Sequence, residues 1–411
     1  MTETSTVDGG MPELRPLSGI KVIDLTSMLA GPYCARWLAD LGAEVVKIES
    51  IAGDYMRNTS PVRDGRSAYF AHLNTGKQSV AVDLKKEAGV RIVRELATTS
   101  DIVLENFRPG VMARLGVGYE TLRQLNPRLV YCAISGYGQD GPGSARPAYA
   151  AMVHASSGFD LATMDAQGDA VRPQTCGVQI ADVLAAVFAC TAIQTALLHR
   201  NRTGVGQCID LSLFDGMLNL LPAQFQQTQF PGAEQKRPFY PPLPARDGFV
   251  TIMPLTQQNF SSMCNAMGHA EWVTDERFST PGMRFRNWRP LIEEMSFWTS
   301  KRSAGECEDI LVRGGVPVAR YRTLAEAIVD PQTAHRKVVH ETSDGSGMLG
   351  VIGLPFRLSG CETSPGKHVP DLGEHTAQVL RERLGYRDAE IASLLTLNVI
   401  ACAASADVTS P

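Results

Sequence analysis

The stretch IKVIDLTSMLAGPYCARWLADLGAEVVKIE (residues 20–49) decides the fold class. IKVIDL is a short apolar run rich in β-branched residues, the composition of a buried strand. TSMLAGP interrupts it as a loop. YCARWLADLGA then carries its apolar side chains at helical spacing and stops at Gly42. EVVKIE (44–49) is a second strand. Strand, helix and strand in this order form a βαβ opening, which implies a parallel sheet with a right-handed crossover.

The alternation continues outward. SVAVDL, DIVLEN and LVYCAISGYG read as strands, and CIDLSLFD as a closing strand and turn. Lys85 to Leu96 reads as an amphipathic helix with Val90, Ile92, Val93 and Leu96 on its apolar side. Ile180 to His199 reads as one long apolar helix, buried on most sides. The pattern predicts an α/β domain over about 15–225. QFPGAEQKRPFYPPLPARDG is rich in proline, glycine and charge, so 226–246 reads as a linker. A smaller α+β domain follows over 247–335, opening on the strand GFVTIMPL and punctuated by TPGM and GGVP. In 336–400, Met348 to Leu358 has strand character, and Leu372 to Leu395 is helical with leucines that need a surface to cover them.

Composition narrows the function. The 411 residues are 44% hydrophobic and 20% charged, with a formal net charge of −4 and no long run of one sign, which points away from nucleic acid and anionic membrane as partners. No run approaches the roughly 18 uninterrupted apolar residues of a membrane span. The leader MTETSTVDGGMPEL lacks the order of a signal peptide and reads, like the tail after about Ala401, as disordered. Nine scattered cysteines without a CxxC pair or metal-ligand spacing suit reduced thiols in a cytoplasm and no metal site.

The chemistry-bearing positions are few. A dinucleotide site would place GxGxxG after the first strand, but TSMLAGP offers only Gly31; Glu49, where a ribose-binding acid would stand, has no glycines to support it. GxSxG, HExxH and a Walker loop are absent from the sequence. Asp182 lies at the start of the apolar helix in GVQIADVLAAVFACTAI. It reads equally as a helix-capping residue or as a carboxylate held at a sheet edge beside a positive helix end. In ENFRPGVMARLG, Asn106, Arg108 and Arg114 follow a strand and suit a phosphate-bearing ligand, with a solvated loop as the plainer alternative. His154, in AAMVHASSG, reads as a tolerated, partly buried histidine.

Together, PLSGIKVIDLTSMLAGPYCARWLADLGAEVVKIE, LNTGKQSVAVDLK, DIVLENFRPGVMARLG, LNPRLVYCAISGYGQDGP and DVLAAVFACTAIQTALLHRNRTGVGQCIDLSLFD, followed by DGFVTI, EWVTDERFST, LGEHTAQVL and LGYRDAEI, resemble the class III CoA-transferases from about residue 16 to 400. This superfamily includes formyl-CoA transferase, the carnitine and bile-acid CoA-transferases and the alpha-methylacyl-CoA racemases. The resemblance implies an interlocked homodimer of ring-like chains, each with a large Rossmann-like domain, a small domain and a C-terminal segment that returns to the large one. It implies Asp182 as the covalent nucleophile, by its distance from the RNRTGVGQ stretch. It carries the CoA site over to Leu29, Ala30, Val82, Lys85, Asn106, Phe107, Arg108, Arg114 and Tyr149.

The implied reaction moves CoA from an acyl-CoA to a free carboxylic acid through mixed-anhydride and aspartyl-CoA intermediates. The CoA thioester is a substrate, and no cofactor is bound permanently. Ser27, Met28, the Tyr149 region and Leu255–Phe260 would shape a pocket for a short or medium acid, such as a dicarboxylate. Two departures restrict the choice. The glycine-rich flap of formyl-CoA transferases has no counterpart between Phe225 and Asp247, and Ala150 stands where an acidic residue often follows the tyrosine. The alternative on the same fold is an acyl-CoA racemase or isomerase acting by α-proton exchange, against which stands Tyr149 in the place of that group's histidine.

Overall fold

Along the first strand Val22 packs on one face of the sheet and Ile23 on the other, and Leu104 and Val103 repeat this on the neighbouring strand. Both faces are apolar, as a parallel sheet covered by helices on both sides requires. The computed structural model describes residues 14–167, 171–230 and 240–403. The leader before residue 14 and the tail beyond 403, read as disordered, lie outside the described residues, as do 231–239 of the expected linker, the stretch read as lacking a flap.

The described residues divide into two units, one within Met1–Leu161, Gln174–Pro222 and Arg336–Pro411, the other within Ala162–Pro173 and Ala223–His335. The first unit holds strands β1 (Lys21–Asp24), β2 (Glu44–Glu49), a short hairpin of β3 (Val62–Arg63) and β4 (Arg66–Ser67), then β5 (Gln78–Val82), β6 (Ile102–Glu105), β7 (Val130–Ser135) and β8 (Cys208–Ser212). Its helices include α1 (Ala30–Asp40), α2 (Ala68–Asn74), α3 (Glu87–Thr98), α4 (Val111–Arg114), α5 (Tyr119–Leu125), α6 (Ala150–Ser156), the start of α7 (Phe159–Gln167) and α8 (Ile180–Thr203).

The main sheet runs β5-β2-β1-β6-β7-β8 with every pair parallel. Counted within this sheet the order is 3-2-1-4-5-6, that of the doubly wound dinucleotide-binding folds. One core joins the sheet to α1 and α8 through Cys34, Leu38, Ala185, Ala189 and Ile193. The opposite core holds Val90, Ile92, Val93 and Leu96 of α3, as their helical spacing predicts. The orphan C-terminal leucines also find their surface there. The helices Thr376–Leu384 and Asp388–Thr396 bury Val379, Leu380, Ile391 and Leu394 in the same core as Val80 and Val82.

Three elements differ from expectation. The helix α8 buries a single stripe (Ala185, Ala189, Ile193, Leu197), while Val187, Phe188 and Leu198 are exposed in the single chain. It is also long and apolar enough to cross a membrane by length and composition alone. Part of the expected linker is ordered: β9 (Leu243–Ala245) forms the edge of a three-stranded antiparallel sheet with β10 (Gly248–Ile252) and β11 (Val318–Arg320). Pro244 is tolerated because an edge strand can do without one ladder donor, and Leu243 anchors the strand in the second unit's core with Phe260, Met295 and Trp298. Finally, after the small antiparallel pair β12 (Val339–Ser343) and β13 (Met348–Ile352), the two-residue β14 (Ile400–Ala401) extends the main sheet antiparallel to β5.

Candidate active site

The site is built where the strand order reverses. β1 and β6 are neighbours, and their crossovers lead to opposite halves of the sheet. In open α/β folds ligands bind outside the carboxyl ends of the strands at this point. Here the two departing loops are clasped together. The Ser27 N–H donates to Asn106 Oδ1 (2.9 Å), and Asn106 Nδ2 donates to the Ser27 carbonyl (2.8 Å). Both halves of the Asn106 amide are therefore engaged by the loop, so the side chain shapes the site from behind.

Buried charge holds the same loop from below. Lys77 Nζ donates to Asp24 Oδ2 (2.8 Å), the Pro32 carbonyl (2.8 Å) and Asn74 Oδ1 (2.9 Å), which satisfies all three of its protons. Lys47 Nζ donates to the Thr26 carbonyl (2.8 Å) and to Asp54 (3.0 Å). Burial pushes the Asp24 carboxyl up, but Lys77 and Lys47 together outweigh it and hold the group below its ordinary value. Burial also brings the Lys77 ammonium down to about 8 against the pull of Asp24, and the like charge of Lys47 adds to the fall. Glu49 is fully engaged by Arg57, Ser79 and the Asp54 N–H, so no ribose-binding acid remains.

Between these supports the backbone turns sharply. Met28 takes the left-handed region at φ 67°, a conformation costing roughly 1–2 kcal/mol outside glycine. Leu29 then caps α1 and Ala30 begins it. Gly31 has no room for a side chain: a Cβ would stand 2.2 Å from the Thr26 methyl. The Ala30 N–H lies close enough to the carboxylate of Asp182 to favour its charged form.

Asp182 is the third residue of α8, whose cap is Gln179; it is not the capping residue. Its carboxylate lies near the N–H of Ala30 at the start of α1 and its own N–H at the start of α8, two positive helix ends that favour its charged form. Met28, Leu29, Tyr33, Tyr69 and Val183 form an apolar wall in this neighbourhood. Burial pushes Asp182 up to about 6, and the two N–H donors limit the rise. At pH 7 such a carboxyl is ionised by about ten to one, and it faces no described cation. That combination, a desolvated carboxylate aided only by backbone donors, suits a nucleophile.

The remaining expected CoA residues occupy different settings. Val82, at the end of β5, is 1% exposed with its side chain in the core, so its backbone is the part available to a ligand. Phe107 packs against that core, and its N–H donates to Glu105 (2.7 Å), a carboxyl that burial pushes up to about 7. Lys85, Arg108 and Arg114 are exposed, and none forms an ion pair with a described residue. Tyr149 caps α6 and is 66% exposed. No hydrogen bond among the described residues joins Lys85, Arg108, Arg114 or Tyr149 to Asp182. Tyr69, near enough that the Asp182 charge helps raise its hydroxyl, has no signal in the sequence. Asp24 and Lys47 do have one: each is a charge inside a strand that must be buried.

Against this geometry, the sequence profile of CoA-transferase family III matches residues 17–376. The chain belongs to CoA-transferase family III. Among its relatives, the human succinyl-CoA:glutarate CoA-transferase is 32% identical over 97% of this chain and 92% of its own length. The succinate–glutarate CoA-transferase of Agrobacterium fabrum is 35% identical over 90% of this chain and 97% of its own. Among solved structures, a CaiB/BaiF family protein from Brucella suis superposes with a TM-score of 0.80 at 34% identity, covering 90% of this chain and 99% of that one. Rv3272 from Mycobacterium tuberculosis does so with a TM-score of 0.81 at 30% identity. This family III CoA-transferase thus shares with them a mixed α/β fold around a mainly parallel sheet.

Proposed function

We propose that this CoA-transferase moves CoA from succinyl-CoA, or a similar short acyl-CoA, to a dicarboxylic acid, with Asp182 as covalent carrier. The observation that carries the mechanism is the half-buried Asp182 carboxylate beside two helix N-termini. Asp182 attacks the thioester carbonyl, giving a mixed anhydride and CoA thiolate. The thiolate attacks the aspartyl carbonyl, which forms an aspartyl-CoA thioester and releases the donor acid. The acceptor carboxylate attacks this thioester to form a second anhydride, and the thiolate then takes the new acyl group and frees Asp182. The Ala30 N–H would stabilise oxyanions that form on the aspartyl carbon. The free Arg108, Arg114 and Lys85 would bind phosphates of CoA, and that remote binding helps hold the reacting carbon in place. The named reactions of the human and Agrobacterium relatives support succinyl-CoA and a short dicarboxylic acid as the substrate class.

The exposed apolar side chains of α8 support a homodimer as the working form. The racemase reading is disfavoured by His154. It is an imidazole next to the Asp182 turn, but its Nε2 is engaged by the Ala181 N–H and is not free to carry a proton.

The test is one incubation in heavy water with succinyl-CoA and a pool of free acids, with thioesters followed by mass spectrometry. New acyl-CoA species that an Asp182→Ala control does not make are expected. Deuterium entering the α-carbon of unchanged acyl-CoA, with no transfer, would make the protein a racemase or isomerase.

A further inference from the structure

The start of α8 lacks the usual cap. Gln179 stands at the cap position and makes no side-chain hydrogen bond to the first turn. A buried N–H left without an acceptor costs about 1–3 kcal/mol, and the Ala181 amide is 1% exposed with its residue. The acceptor comes from another element. His154 on α6, 2% exposed, places Nε2 3.1 Å from the Ala181 nitrogen. Its ring packs against Phe159 with centroids 5.5 Å apart, which restricts its rotation.

We propose that His154 is a positioning residue for the nucleophile: by accepting the Ala181 N–H it replaces the missing cap and fixes the turn that aims Asp182 at the acyl carbon. The inference rests on the reading of Asp182 as nucleophile. The Ala181 N–H belongs to the peptide one residue before the Asp182 Cα, so holding it in the first turn restricts the direction in which the Asp182 side chain leaves the helix. An acceptor Nε2 requires the neutral ring with its proton on Nδ1. Burial favours that form, and Asp160 on α7 opposes it. The imidazole works as a fixed acceptor, with no proton transferred.

The experiment compares His154→Leu, His154→Asn and His154→Gln, each checked for its unfolding midpoint. The glutamine carbonyl can reach the Ala181 N–H, the asparagine is one methylene short, and leucine has no acceptor. His154→Leu should lower kcat about 10- to 100-fold, the scale of a misplacement of about 1 Å, with KM for succinyl-CoA within about twofold. His154→Gln should stay within about threefold of the native kcat. If the leucine variant does not fold, the asparagine variant takes its place and should lose kcat where glutamine keeps it. A leucine or asparagine variant at native kcat overturns the proposal. So does a glutamine variant as slow as they are, or a loss in which KM rises in step. Asp182→Ala run in parallel separates the two readings. Transfer surviving there removes the nucleophile and this proposal with it, whereas an inert Asp182→Ala beside a full-rate His154→Leu removes His154 alone.

Discussion

Asp24 ends β1 and Asp182 stands in the first turn of α8, and the loop that leaves Asp24 delivers the N–H that meets Asp182. Asp24 is fully buried and Asp182 half-buried, and their surroundings differ in kind. Asp24 has Lys77 at 2.8 Å and the charge of Lys47, and its pKa is lowered. Asp182 has only backbone donors and is pushed up to about 6. A buried carboxylate paired with full cations is held in one state and becomes part of the frame. One given only N–H dipoles keeps its lone pairs available and remains desolvated and reactive. The frame around Asp24 supports the loop that serves Asp182.

The widest separation between the two should come from removing each carboxylate. Asp182→Ala should lower transfer by about 10⁴-fold or more while calorimetry still detects acyl-CoA binding. A variant that transfers within tenfold of the native rate would put Asp182 among the structural carboxylates. Asp24→Asn should act on the fold instead, costing about 3–5 kcal/mol in urea unfolding because it leaves the buried Lys77 ammonium without its ion-pair partner. An unchanged midpoint would show that the pair does not support the frame.

Smaller effects sharpen the contrast. Asn106→Ala opens the Ser27 clasp and should reduce kcat about 10-fold with the stability nearly unchanged; a loss of stability alone would move Asn106 into the frame. The two aspartates should also respond oppositely to acid. Asp182 has a raised folded value, so its ionisation costs stability in full above about 6, and that cost is relieved as pH falls from there to the ordinary aspartate value. Asp24 has a lowered value, so its contribution is present above the ordinary aspartate value and is lost as pH falls through its own lower one. Asp182→Asn should therefore raise Tm at pH 7 by about 1–3 °C, and the native kcat should fall below about pH 6. A lowered Tm in Asp182→Asn, or a rate flat to pH 5, would mean that Asp182 is paired after all.

Much of this frame is legible in the sequence, because it follows from local patterns. The run 20–49 carries its strand-helix-strand order in its own apolar spacing, and the arginines after DIVLEN stand where a parallel sheet presents its loops. Asp24 and Lys47 interrupt buried strands and so announce that a partner exists. The partner of Asp24 is Lys77, 53 residues away, and only the folded sheet brings them together. His154 gives no such notice: AAMVHASSG holds one more small-residue helix turn, and its role depends on an amide 27 residues on. The one-sided burial of α8 is equally silent, since both of its faces are apolar and only the packing against α1 selects one.

The most direct test of the covalent role of Asp182 is isotopic. The enzyme would turn over succinyl-CoA with an acceptor acid whose carboxylate oxygens are ¹⁸O, and the peptide holding Asp182 would be weighed by mass spectrometry. In the proposed sequence one acceptor oxygen remains on Asp182 at the end of each cycle. The label should therefore enter this peptide, at the aspartate, only when both substrates are present. Full transfer activity with no ¹⁸O in the Asp182 carboxylate would contradict the aspartyl route and require the two acids to exchange CoA by another path.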